Sequence, residues 1–274
     1  MGGVRWLCLG GSLLLFPVPG WAQGEAPAAG ATPDEKVPKR WIRFLPVGEA
    51  PPYRYEYRGG VRYELPPDPG STPPREVVLR AGDAELGSTF LALGAISEPL
   101  AIPEGEGPIP VYQKKSGADS EPWHSLRPRE AGHVLAILWR DWRQGSWDKA
   151  MRLILPDDPA AFRSGSVRLV NVSPFPATIR LAGKEIKLAP GKHVIRPGGN
   201  PGGVELRVLV GDRSGNSMPI YSSGLVQNRG ERVNVVIFRA DGEKPRRPAK
   251  VIVDRELARL PPVPAKTQEG GGRP

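Results

Sequence analysis

Cysteine is almost missing from this chain. The single one in 274 residues is Cys8, inside the first apolar run. If the N-terminal segment is removed, no cysteine remains, which excludes disulfides, thiolate nucleophiles and Cys-ligated zinc together. Histidine is also scarce. His124, His133 and His193 show no His-x-His or His-Glu-x-x-His spacing, so no metal site is expected. Gly-x-Ser-x-Gly is missing, as are a phosphate loop and a dinucleotide fingerprint. "GGNPGG" at 198–203 joins two strand-like runs and opens no helix. Carboxylates occur side by side at Glu104 and Glu106 and at Asp157 and Asp158. A glycosidase needs two of them about 5–9 Å apart across a cleft. Glutamates between Gly and Pro on a loop are expected to be solvated instead. No dense Asp/Asn pattern suggests calcium. No catalytic residue and no cofactor are therefore expected, and the chain is read as a non-enzyme.

Long apolar runs are also lacking beyond the N-terminus, where the pattern is that of an export signal. "MGGVR" carries one positive charge, and "WLCLGGSLLLF" is an apolar core of 11 residues, too short to span a bilayer of ~30 Å. "PVPGWA" then breaks the helix and places Gly20 and Ala22 at −3 and −1, so cleavage after Ala22 would leave Gln23 first. A lipoprotein cysteine would follow the apolar run, whereas Cys8 lies near its start, so no lipid anchor is expected. The expected product is exported to the periplasm or beyond, with no transmembrane segment once residues 1–22 are gone. A cysteine-free exported chain suits a bacterial envelope better than a small eukaryotic secreted domain.

What is plentiful is turn residues and strand residues. The 33 prolines and 34 glycines mostly punctuate short apolar runs. Runs such as "WIRFLPV", "EVVLRA", "HVLAILW", "VRLVNV", "VELRVLV" and "RVNVVIF" alternate or are continuous, as short antiparallel strands do. Only single helical turns are expected, at "DPAAFR" and "DRELARL". The runs also recur in order. Trp41-Ile-Arg-Phe-Leu answers Val167-Arg-Leu-Val-Asn. "YEYRGGVRYELPP" answers "IRLAGKEIKLAPG", "HVLAILWRD" answers "RVNVVIFRA", and "KAMRLILPD" answers "PAKVIVD". The expected fold is all-β: two tandem immunoglobulin-like antiparallel sandwiches over 40–157 and 165–256, joined by 158–164. An insertion of about 27 residues in the first copy is expected within the acidic stretch 81–124. Residues 23–39 and 257–274 read as a disordered leader and a disordered Pro/Gly tail. "VRLVNVSPFPATIRLAGKEIKLAPGKHVI" followed by "MPIYSSGLVQNRGERVNVVIF" resembles repeats in poorly characterised secreted bacterial proteins of the planctomycete and verrucomicrobial type, similar in layout to immunoglobulin-like sandwiches. That resemblance implies a sandwich and an envelope setting, and brings no catalytic residues.

Charge is unevenly placed. Residues 165–255 hold 16 Lys and Arg against 7 Asp and Glu, a net of +9, while 81–124 hold 2 against 7, a net of −5. The densest cluster of binding-type side chains is "LWRDWRQGSWDKAM". Its Trp142 and Trp147 lie among Arg140, Arg143 and Lys149 on either side of a Gln-Gly-Ser tip, and either pack on the neighbouring domain or the acidic insertion or share one loop face open to a ligand, while Trp139 is placed in the core, matching Phe238 of the second copy. Trp stacks on flat ligands, and Arg offers forked donors to carboxylate, sulfate or phosphate. The matching loop of the second copy holds Lys244, Arg246, Arg247 and Lys250. "NVS" at Asn171 is a glycosylation triplet, discounted because Pro follows it. These features point to a structural or adhesive envelope protein. A carbohydrate- or anionic-polymer-binding module using 139–149 is the alternative, and a hydrolase with dispersed residues the third. The partner would be an envelope protein or an anionic polysaccharide, not nucleic acid. Oligomeric state is not legible.

Overall fold

The computed structural model describes residues 40–81, 84–102, 107–114, 121–127, 132–197, 203–211, 216–242 and 244–257. The expected signal, its Ala22/Gln23 junction, the leader, nearly all of the tail, and Glu104 and Glu106 lie outside the described residues. The described residues all fall within one compact unit.

Every regular element among the described residues is a strand. The first half contains β1 (Trp41–Val47), β2 (Arg54–Arg58), β3 (Val61–Leu65), β4 (Glu76–Ala81), β5 (Ala84–Phe90), β6 (Leu100–Ala101), β7 (Ile109–Gln113), β8 (His124–Leu126), β9 (Val134–Trp139) and β10 (Met151–Pro156). The second contains β11 (Ser166–Asn171), β12 (Ala177–Leu181), β13 (Lys184–Leu188), β14 (Lys192–Pro197), β15 (Val204–Gly211), β16 (Ser217–Leu225), β17 (Glu231–Arg239) and β18 (Ala249–Leu257). "DRELARL", expected to begin a helical turn, instead continues β18 through Leu257. "DPAAFR" forms only an isolated turn, in which Phe162 N donates to Asp158 O at 2.8 Å.

The strands form two sandwiches. Sheets ordered β10-β9-β1-β6 and β5-β4-β7-β8 enclose one core, centred on Ile42, Phe44, Val77, Leu79, Val111 and Leu138. Sheets ordered β14-β11-β17-β18 and β13-β12-β15-β16 enclose the other, centred on Leu169, Ile179, Leu206, Val208, Val233 and Val235. In each, the middle of one sheet is a parallel pair, β1 with β9 and β11 with β17. These central strands are buried on both faces, which is why they read as continuous apolar runs. The inward face of each serves its own core. The outward faces meet in a third cluster containing Leu45, Val47, Leu135, Ile137, Leu155, Val170, Val236 and Phe238. The two sandwiches are therefore welded back to back.

The halves share a strand order, but two expected correspondences are wrong. The counterpart of β12–β13 is β4–β5, since both flank the same neighbours in their sheets. The hairpin β2–β3, expected in that role, pairs only with itself among the described residues. The two hairpins look alike because both close with left-handed two-residue turns: Gly59 and Gly60 at φ 57° and 82°, Ala182 and Gly183 at 50° and 75°. The extra residues thus lie chiefly in 48–75, between β1 and β4, where the second copy has only 172–176. The acidic stretch 81–124 is no insertion, for it supplies β5 to β8. The second correction is one residue of register. Ile42 pairs with Val134 as Val167 pairs with Val233, so Ile42 matches Val167 and Trp41 does not. A slip of one residue exchanges the two faces of a strand, and the corrected register sets Arg43 opposite Arg168.

Candidate functional site

The tryptophan segment does not form one exposed face. Trp147 is only 2% exposed and packs into the first core. Its backbone N donates to Gly70 O at 2.8 Å, and its carbonyl accepts from Trp123 Nε1 at 2.8 Å. The turn at Gly70 is so close that a Cβ there would lie 2.5 Å from Ser146 Oγ. Trp139 matches Phe238, as expected, but both lie in the cluster between the sandwiches and not in their own cores. Only Trp142 stays open, at 50% exposure, with the guanidinium groups of Arg143 and Arg239 at 5.3 and 5.1 Å from its ring. Of the two readings, Trp147 takes the packing one, because residues 146–148 fold inward under 70–71, a long-range contact that local alternation cannot encode, while Trp142 stays at the surface.

The two loops singled out as binding elements meet each other instead. Arg140 pairs with Asp241 at 2.5 Å, and Lys250 pairs with Glu49 at 2.7 Å. Asp241 N donates to Glu49 Oε1 at 3.0 Å. Arg247 donates to the carbonyl of Ile220 at 3.0 Å. Lys244 and Arg246 are exposed. These contacts close one end of the seam between the sandwiches.

The other end is a buried ionic cluster. Arg43, on the outward face of β1, bonds both Asp157 and Glu256, with Nε at 2.9 Å from Asp157 and Nη2 at 3.1 Å from Glu256. Arg168 approaches Asp157 at 3.4 Å and donates to Pro156 O at 2.6 Å. Arg232 bonds Glu256 at 3.0 Å and the carbonyl of Asp157 at 3.2 Å. Phe162, fully buried in the supposed linker, lies beneath Arg168 and Arg232 at 4.0 and 5.1 Å. Burial opposes the charge of Arg43, but its bond to Glu256 and the charge of Asp157 hold its pKa above the ordinary value. Burial raises the pKa of Asp254, reinforced by the charge of Glu256. Asp157 and Arg168 are closed to solvent and Glu256 is reached by it, and together these ion pairs fasten the seam.

Histidines give no catalytic constellation. Burial, with Arg152 adding to it, pushes His124 down to about 4. Burial also lowers His133, whose ring stacks on Trp41 with centroids 3.2 Å apart. Among the described residues no group of three His, Cys, Asp or Glu could hold a metal ion.

A group of exposed large side chains that the sequence analysis did not single out lies on and beside the hairpin β2–β3. Tyr53 and Tyr57 are 75% and 70% exposed, and Tyr55, Val61 and Tyr63 are also exposed. Opposed residues share a face, so Tyr55, Tyr57, Arg62 and Glu64 lie on one side and Glu56, Tyr63, Val61 and Leu65 on the other. Arg62 sits over the Tyr55 ring at 3.3 Å, and the Tyr53 and Tyr55 rings lie 6.4 Å apart. Arg58 bonds Glu56 through both Nε and Nη2 at 2.9 Å, while Arg54 pairs with Asp68. A signal was available in the sequence. "RYEYRGGVRYEL" alternates, but both of its phases carry Tyr, Arg or Glu, so neither forms a wholly apolar face to bury.

No family model matches the chain, and no curated protein matches it. Among solved structures the chain is similar to an entity described as "NMR structure of the protein from Eubacterium rectale", at 19% identity over 39% of this chain and 100% of that one. The TM-score of 0.23 is too low for that likeness to carry an argument about fold or work.

Proposed function

We propose that the protein is a non-enzymatic exported envelope protein with a structural or adhesive role, in which a rigid double sandwich presents the hairpin β2–β3 to a partner. One observation carries this reading: a Tyr- and Arg-rich hairpin is exposed on both faces and pairs with no other strand among the described residues. An isolated two-stranded hairpin is marginal in water, and Tyr and Arg are the side chains that dominate protein contacts. The favoured partner is an envelope protein. The export signal read in residues 1–22 and the resemblance to secreted bacterial repeats support the compartment. The anionic-polymer reading loses weight because Arg168 and Arg232 lie in the seam, while Arg180, Arg207 and Lys250 are paired with Glu185, Glu205 and Glu49. A glycan contact at Trp142, flanked by Arg143 and Arg239, is the second reading. The test is retention of the protein on isolated envelope material of the producing cell. Tyr55→Ser with Tyr57→Ser should abolish retention, and Trp142→Ala should leave it intact. Loss with Trp142→Ala alone would overturn the hairpin reading in favour of the glycan one.

A further inference from the structure

The hairpin's outer strand is complementary to itself. We propose that β3 pairs antiparallel with β3 of a second copy, about a two-fold axis through Tyr63, so that the protein self-associates through a four-stranded sheet ordered β2-β3-β3-β2. This deepens the reading of the hairpin as the contact element, and rests on it.

The argument begins with the main chain. In a hairpin closed by a two-residue turn, the pair flanking the turn is hydrogen-bonded, and bonded and non-bonded pairs then alternate. Arg58–Val61, Glu56–Tyr63 and Arg54–Leu65 are accordingly the bonded pairs. The N–H and C=O groups of Arg62 and Glu64 therefore point away from β2. No other strand among the described residues pairs with that edge. An open edge of this kind is a template for another strand.

The side chains select the strand. Reading "VRYEL" against itself in antiparallel sense, centred on Tyr63, puts Val61 opposite Leu65, Arg62 opposite Glu64, and Tyr63 opposite Tyr63 of the second copy. All three are favoured cross-strand pairs: apolar with apolar, cation with anion, aromatic with aromatic. The register also fits the hydrogen bonds. Arg62 opposite Glu64 becomes a bonded pair, using the outward-pointing groups, while the two Tyr63 residues meet as a non-bonded pair, where side chains are closest. The other edge does not work this way. "RYEYR" paired with itself about Glu56 would set Glu against Glu and Arg against Arg, and like charges directly opposite are destabilising. The contact is isologous and closes on itself, so it yields a dimer and not a filament. One five-residue strand from each copy covers well below the ~1,600 Å² of a standard interface. Association is therefore weak in dilute solution and strengthens where copies are crowded or tethered.

Charge reversal tests this on the full chain by sedimentation over a wide concentration range. The wild type should dimerise as concentration rises. Arg62→Glu and Glu64→Arg should each weaken dimerisation by roughly tenfold or more, because each sets like charges opposite one another twice. Mixing the two variants should restore dimers as mixed pairs, and the double exchange should restore them alone. A wild type that stays monomeric throughout overturns the proposal. So does dimerisation that survives both single changes, or a mixture that fails to recover it. Each variant should keep the wild-type unfolding midpoint, since the hairpin lies outside all three apolar clusters. If the wild type is monomeric and envelope retention still depends on Tyr55 and Tyr57, self-association fails while the contact role of the hairpin stands.

Discussion

The two sandwiches leave their first strand in opposite ways. In the second, Asn171 at the end of β11 acts as a clamp. Its Nδ2 donates to Phe175 O at 2.8 Å and to Leu188 O at 3.0 Å, while its Oδ1 accepts from Ser173 N at 3.1 Å and Ser173 Oγ at 2.7 Å. Four bonds from one buried amide turn the chain straight into β12. The corrected register puts Pro46 at the matching position of the first sandwich. Proline has no such side chain, and the chain runs through 48–75 and the hairpin before it reaches β4. One fold thus supplies both a tight crossing fixed by a buried amide and an open excursion that carries the proposed contact hairpin. The same burial excludes Asn171 from glycosylation, since its amide is wholly committed.

The comparison can be broken at the seam first. Asp157 and Glu256 are equivalent residues in the two halves, but the side chain of Asp157 is fully buried whereas that of Glu256 is 15% exposed. Asp157→Ala should cost about 3–5 kcal/mol, because it takes the carboxylate from the fully buried Arg168 while Arg43 and Arg232 keep Glu256. Glu256→Ala should cost about 1–3 kcal/mol, because water reaches it and Arg43 keeps Asp157. Urea unfolding midpoints measure both, and equal costs would show that the two halves share the cluster evenly. Asn171→Ala comes next, at about 2–3 kcal/mol, since it takes the amide donor from the buried Leu188 carbonyl and one of two donors from Phe175 O, and removes the acceptor of Ser173. A thermal melt within a degree of wild type would remove the clamp from the account. The smallest effect belongs to the hairpin. Replacing 54–65 with a short Gly-Ser link should change stability by less than ~0.5 kcal/mol, and a larger loss in the same melt would mean that the hairpin braces the body.

Periodicity made the strands legible, and the order of the runs made the shared strand order of the two halves legible in part. Both signals are local or additive along the chain. The face of each strand was harder to read, because β1 is buried on both sides and its alternation is masked. Arg43, inside that apolar run, faces a second protein layer and not solvent. The same blindness left Trp147 open between packing and a loop face, since its backbone bond to Gly70 reaches across 77 positions in sequence. The hairpin was located correctly as two strands and a turn, but its partner was assigned by turn chemistry, which β12–β13 shares. What distinguishes them is the inward row Ala177, Ile179 and Leu181 in β12, against Tyr, Arg and Glu in β2.

The buried ionic cluster carries a trace of how the chain is organised. Arg43 of the first half reaches Glu256 of the second, and Arg168 of the second half reaches Asp157 of the first. Arg43 matches Arg168, and Asp157 matches Glu256, so each contact is the image of the other under exchange of the halves. That reciprocity is the mark of a two-fold interface between identical subunits, held here within a single polypeptide. The first half presents an apolar and charged surface whose only described complement is made later in the chain, and neither half has a finished exterior without the other.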